Sequence, residues 1–307
     1  MHIVLFGATH RGLRFLQHLR KLCPEDELTI VTFREEPWEP PFLDEVRNFA
    51  DTAGVRFIES KSAQAESCAP LWERRVDLFF MVGWRYMLPM TLLDRARLGA
   101  VVFHDSLLPA YSGFAPTVWA MINGESECGV TMIHAVADVD AGDIIDQQSV
   151  NIGEDETIAE VMENVTLVYL SLLERNLEML KTGCAPRTTQ DRSIATFTCK
   201  RTPADNLIHW NQPMRQIYNL IRAVTYPYPG AFTYYRGKKM FIWTARPQLN
   251  AHRYIGVIPG RVIEIIPNVG VVVLTADGAL LIETVQIEGE EKVCAADLIR
   301  SISAQLG

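Results

Sequence analysis

Up to about residue 106 the chain alternates short apolar runs with amphipathic segments, and this alternation limits its fold more than any other feature. HIVLFG (2–7), ELTIVTF (27–33), VRFIES (55–60), DLFFMVG (77–83) and AVVFHDS (100–106) have the length and β-branched or aromatic content of buried strands. RGLRFLQHLRKL, FLDEVRNFADTA and TLLDRARL, between them, repeat their apolar residues at helical spacing. A strand that must cross back over a helix to reach its neighbour builds a parallel sheet, so the expectation is a doubly wound, Rossmann-like, mostly parallel α/β sheet.

The pattern then changes. A helix is expected from Pro116 to Ile122, followed by strands in GVTMIHAV and DIIDQQSVNI and a long helix over roughly 157–182 that Gly183 ends as a C-cap glycine. Residues 184–206 lose the periodicity and gain polar and turn residues, which predicts a linker between a domain at 1–183 and another at 207–307. The second begins with a helix at about 212–224 and a PYPG turn, and continues in five short strands with glycine and asparagine turns, the pattern of a small OB-like β-barrel. With 307 residues, 48% of them hydrophobic, the chain can bury two cores.

A formal charge of −8 argues against nucleic acid as the main partner. No apolar run reaches the roughly 18 residues of a membrane span, and MHIVLFGATHRG has no basic region ahead of an apolar stretch, so a cytoplasmic protein without a membrane partner is expected. The six cysteines form no C-x-x-C pair and no metal-ligand spacing with histidine, so reduced, mostly buried thiols and no metal are expected. The oligomeric state is not legible.

Two places could carry chemistry. Gly7-Ala-Thr-His-Arg-Gly12 follows a strand and opens a helix, where Arg11 could face a phosphate or carboxylate of an acceptor, or the glycines could serve the turn alone. In VVFHDSLLPAYSG the chain leaves the sheet at His104, Asp105 and Ser106, and open α/β sheets bind ligands outside the carboxyl ends of their strands. A second loop after a strand, Ala137-Asp-Val-Asp-Ala-Gly-Asp143, could bring a carboxylate to that histidine and make an acid/base pair.

HDSLLPAYSGFAPTVWAMINGE followed by GVTMIHAVADVDAGDII resembles the signature of the 10-formyltetrahydrofolate-dependent formyltransferases, and IHWNQPMRQIYNLIRAVTYPYPGAF resembles the second domain of the family's two-domain members. The resemblance implies 10-formyltetrahydrofolate as formyl donor, His104 as catalytic histidine and Asp140 as catalytic aspartate. It implies Leu88 at the position whose backbone holds the pterin ring, with Tyr86 and Met87 beside it, and Ala135, Val136 and Ala137 in the loop that closes over the folate. The family's catalytic asparagine lies two residues before the histidine, and here Val102 stands there without a side-chain donor for an oxyanion. Ser106 is either a further acceptor contact or a hydroxyl capping its own turn.

The acceptor implied is a small amine. In the tRNA-modifying members the neighbourhood of residues 34–45 holds a basic insertion, whereas here it carries five acidic residues and one basic. GWRYMLP and the resemblance of the second domain to that of the aminoarabinose-modifying members imply an amino sugar nucleotide first. The alternatives are hydrolysis of 10-formyltetrahydrofolate, which Val102 favours, or formylation of methionyl-tRNA or of an amino acid or hydroxylamine precursor.

Overall fold

The structure is a computed structural model that describes residues 1–37, 39–248 and 254–307. In chain order its first elements are β1 (His2–Gly7), α1 (Thr9–Leu22), β2 (Glu27–Thr32), α2 (Leu43–Thr52), β3 (Arg56–Glu59), α3 (Ala69–Glu73), β4 (Leu78–Val82), α4 (Met90–Leu93) and β5 (Ala100–His104). There follow β6 (Ser112–Gly113), α5 (Pro116–Asn123), β7 (Glu127–His134), β8 (Ile144–Asn151), α6 (Ile158–Thr182) and β9 (Phe197–Thr198). The last are α7 (Met214–Val224), β10 (Ala231–Tyr235), β11 (Lys238–Pro247), β12 (Val262–Ile266), β13 (Gly270–Leu274), β14 (Ala279–Ile287), β15 (Lys292–Cys294) and α8 (Ala295–Leu298).

The chain divides into two compact units, one of residues 1–116, 128–150 and 163–199, the other of 117–127, 151–162 and 200–307. A seven-stranded sheet in the order β3-β2-β1-β4-β5-β7-β8 organises the first. β1 to β5 pair in parallel and β7 joins β5 antiparallel. The near-continuous apolar runs of β1, β2 and β4 follow from burial on both faces, as a sheet covered by helices requires. On one face Val4, Phe6, Val31, Phe79 and Met81 form a buried cluster with Leu71 and Leu92. Gly12 of α1 lies so close to Gly7 that a Cβ would stand 3.0 Å from the Gly7 carbonyl carbon, so these glycines let helix and strand approach.

The second unit holds an antiparallel sheet in the order β10-β11-β14-β13-β12, with β15 on β14. Residues 184–199, linker by composition, lie in the first unit. The reason is pairing: β9 adds to β6, with Ser112 opposite Phe197 and Gly113 opposite Thr198.

Candidate functional site

β5 delivers the site. Its alternation sends Ala100, Val102 and His104 to one face and Val101 and Phe103 to the other, and pairing with β7 sets His104 opposite Thr131 and Val102 opposite Ile133. Thr131 then fixes the loop that follows. Its hydroxyl donates to the Ser106 carbonyl at 2.6 Å and accepts from the Leu108 amide at 3.0 Å, while the Gln147 amide bonds both the Leu108 carbonyl and the Thr131 hydroxyl. Ser106 is buried and its hydroxyl donates to the Ala110 carbonyl at 2.7 Å, across its own turn.

His104 and Asp140 meet. The imidazole is 8% exposed at the carboxyl end of β5, its Nδ1 is 3.4 Å from Asp140 Oδ1, and its Nε2 is 3.0 Å from the Tyr111 carbonyl oxygen. Both ring nitrogens thus face oxygen atoms. The other carboxylate oxygen, Asp140 Oδ2, accepts from the Gly113 amide at 2.9 Å and from the Ser112 hydroxyl at 3.4 Å. Gly113 has φ 109° and a Cβ there would stand 2.6 Å from the Thr198 carbonyl oxygen, so only glycine brings its amide to Asp140 in this way.

Arg11 reaches the same region from α1, but inward. It is buried, its guanidinium donates to both oxygens of Asp105 at 2.7 Å, it bonds Thr166 at 3.3 Å, and it lies 4.6 Å over the Tyr169 ring. The Tyr169 hydroxyl donates to Asp105 and to the Phe103 carbonyl. Burial raises the Asp105 pKa, yet the charge and hydrogen bonds of Arg11 with that of Tyr169 outweigh it and hold the carboxyl below its usual range. Burial, then the Asp105 charge, pushes the Tyr169 phenol well above its usual value. The sequence singles out Asp105 beside the histidine but not its partners Thr166 and Tyr169, which α6 brings from more than sixty residues away.

Of the residues expected at the folate, Leu88 and Ala135 pack against the same buried cluster as Val102, and the Ala135 amide donates to the Ala100 carbonyl at 2.8 Å. Tyr86 lies edge-on to Phe33 and to Trp84, while Met87, Val136 and Ala137 are exposed. A cavity of about 430 Å³ opens among Met90, Leu93, Ala96, Ala100, His134 and Ala135, with Asp94, Arg97 and Arg187 also on its walls. His104 and Asp140 do not line it. Its walls are mixed, with aliphatic side chains beside charged ones, and the exposed loop 136–137 follows directly from Ala135.

The acidic segment is largely engaged: Glu35 accepts from the Leu43 amide, Glu36 pairs with Lys61, and Glu39 pairs with Arg85. Trp38 within it lies outside the described residues. Among the described residues no group of three His, Cys, Asp or Glu side chains could hold a metal ion, and no helix is long and apolar enough to cross a membrane.

Residues 37–175 match the formyl transferase family, and residues 200–303 match the formyl transferase C-terminal domain. Among solved structures, HypX from Aquifex aeolicus in complex with tetrahydrofolic acid superimposes with a TM-score of 0.66 at 18% identity, over 98% of this chain and 47% of that one. The chain thus spans about half the length of HypX. WlaRD, a sugar 3N-formyl transferase solved with dTDP and 5-N-formyl-THF, superimposes with a TM-score of 0.66 at 18% identity over 95% of this chain and 99% of its own. For the methionyl-tRNA formyltransferase from Clostridium thermocellum the values are 0.61 and 17%, over 82% and 95%. At such identities the superpositions show the fold, while the matches to both domains, one of which contains His104 and Asp140, show more: the chain belongs to the formyl transferase family.

Proposed function

We propose that this protein moves the formyl group of 10-formyltetrahydrofolate to the amine of a small acceptor, an amino sugar nucleotide before other amines. The observation that carries the reading is the His104–Asp140 pair, 3.4 Å apart at the carboxyl end of a central strand. A bound 10-formyltetrahydrofolate would supply a formyl carbon on a nitrogen that leaves as tetrahydrofolate. Asp140, anchored by the Gly113 amide, orients the imidazole and balances its charge. His104 stabilises the developing charge as the amine attacks, takes part in moving the amine's proton, and so aids departure of the folate nitrogen. Val102 offers the oxyanion no side-chain donor, so this task falls more heavily on His104.

Leu88, with Tyr86 and Met87 beside it, and Ala135 to Ala137 would hold the pterin, mainly through backbone groups; the cavity next to Ala135, with aliphatic and polar side chains on its walls, supports that reading. For the acceptor, the sugar 3N-formyl transferase WlaRD supports an amino sugar nucleotide. The acidic residues of segment 34–45 support a small molecule over tRNA, although Glu36 and Glu39 are neutralised by Lys61 and Arg85. The burial of Arg11 against Asp105 and of Ser106 in its own turn leaves both less suited to contact an acceptor. The same reading takes the C-terminal sheet as a small OB-like barrel and the protein as cytoplasmic. The test is an acceptor screen with 10-formyltetrahydrofolate, read by mass spectrometry. An N-formyl amino sugar nucleotide is the expected product; formylated methionyl-tRNA alone would overturn the choice of acceptor.

Val102 favours one second reading, hydrolysis of the formyl donor, in which water takes the place of the amine. It is distinguished by release of tetrahydrofolate that no amine accelerates.

A further inference from the structure

After α6 the chain runs through 184–199 without a regular element longer than three residues, and composition alone gives it no task. In the structure this stretch reaches Asp140 from two directions. Gln190 is buried, and its side-chain amide donates to the Asp140 carbonyl at 2.8 Å and to the Gly142 carbonyl at 2.7 Å. Arg192 adds a long contact of 3.4 Å to the same Asp140 oxygen. Six residues beyond Gln190, the Thr196 hydroxyl accepts from the Tyr111 amide at 2.8 Å and the Thr196 carbonyl accepts from the Ser112 amide at 2.9 Å, while the Thr198 hydroxyl donates to the Ser112 carbonyl at 3.1 Å. Ser112 and Gly113 are the residues that hold the Asp140 carboxylate.

We propose that residues 190–198 form a clasp that fixes Asp140 against His104, and that Gln190 is its positioning residue; the inference rests on the roles assigned to His104 and Asp140 above. Asp140 needs such a clasp. Its φ is 54°, a left-handed conformation uncommon outside glycine, which aspartate enters more readily than most residues but which remains costlier than the ordinary regions. Gly142, two residues on, is pressed so closely on the His134 carbonyl that a Cβ would stand 1.7 Å from that oxygen. The loop is thus pinned at Gly142, and the two hydrogen bonds from one amide span the turn between the pinned residue and the aspartate. A donor-less side chain at 190 would let residue 140 relax toward ordinary φ, and the carboxylate would swing from Nδ1.

The amide of Gln190 is not explained by stability alone. Its Oε1 is buried without a hydrogen-bond partner among the described residues, a condition that disfavours burying an amide there. A methionine would fill similar space and remove that orphan acceptor together with the donor. If the role were only to close the surface, Gln190→Met would be tolerated in every respect.

The experiment compares wild type, Gln190→Met, Asp140→Asn and the double variant in steady-state formyl transfer and thermal unfolding. Gln190→Met is expected to lose about tenfold in kcat, with KM for 10-formyltetrahydrofolate and the unfolding midpoint close to wild type. In the Asp140→Asn background the same change is expected to add nothing to the loss, because the clasp acts only through the carboxylate. Gln190→Leu serves as a second variant should Gln190→Met unfold. Wild-type kcat in a folded Gln190 variant, or an equal further loss in the double variant, overturns the clasp while leaving Asp140 in place. Wild-type kcat in Asp140→Asn overturns the assignment of Asp140 itself, and the clasp with it.

Discussion

The approach of Asp140 to His104 was legible because the histidine ends one strand, the aspartate lies in the loop after another, and both belong to a long, ordered motif. Their contact depends on residues the motif does not mention: the Gly113 amide at 2.9 Å from the carboxylate and the buried Gln190 behind the loop. Arg11 shows the opposite case. A cation after a glycine turn suggests a ligand, but whether it points outward depends on what lies beneath it, and here Asp105 and Tyr169 do. If His104 and Asp140 act as one proton-handling unit, His104→Ala and Asp140→Ala should each lower kcat by about 100-fold or more, and the double variant should be little worse than either, as steady-state rates will show. Val102 gives a finer test. Its side chain shares a strand face with His104 and packs against the same buried cluster as Leu88 and Ala135. Val102→Asn should raise kcat by roughly tenfold through an added oxyanion donor, while lowering stability by about 1 kcal/mol for a polar group set against apolar neighbours. A fall in kcat would assign valine to a dry wall instead.

Strands were the most legible elements, since β1, β2, β4 and β5 write their burial as near-continuous apolar runs, while β3, RFIE, buries only Ile58 fully. The small pairings escaped: β6 and β9 are two residues each, and β15 is three, too short for any periodicity. The network of Arg11, Asp105, Thr166 and Tyr169 escaped for another reason. It joins α1, the end of β5 and α6, which only tertiary packing brings together. Because Arg11 is buried, Asp105→Asn leaves a charge without its counter-charge and should cost about 3 kcal/mol in urea unfolding. The sign of its pH dependence follows from a carboxyl held low in the folded state. The stabilisation is present above the unfolded value of about 3.9 and is lost as pH falls through the lower folded value, so Asp105→Asn should flatten the acid limb of the stability curve.

At the scale of the whole molecule, composition and alternation gave the two kinds of sheet but not where the chain passes from one to the other, because β6–β9 pairing draws part of the apparent linker into the first unit. Stability near neutrality should depend on His134. Burial, together with the Arg187 charge, lowers its pKa against the raising effect of the Pro186 carbonyl, to which its Nε2 is bonded at 2.9 Å. Its contribution is complete above the unfolded value of about 6.5 and is lost as pH falls through the folded one, so unfolding midpoints should decline below about pH 6.5. His134→Gln should show less of that decline. The family, the His104–Asp140 pair and the cavity beside Ala135 together make formyl transfer the central claim. Its most direct test is stoichiometry: tetrahydrofolate released against N-formyl amine formed, with wild-type enzyme, 10-formyltetrahydrofolate and an amino sugar nucleotide, followed with and without the amine. The account predicts one N-formyl product for each tetrahydrofolate and little release without acceptor; rapid release that is the same with and without amine would contradict it.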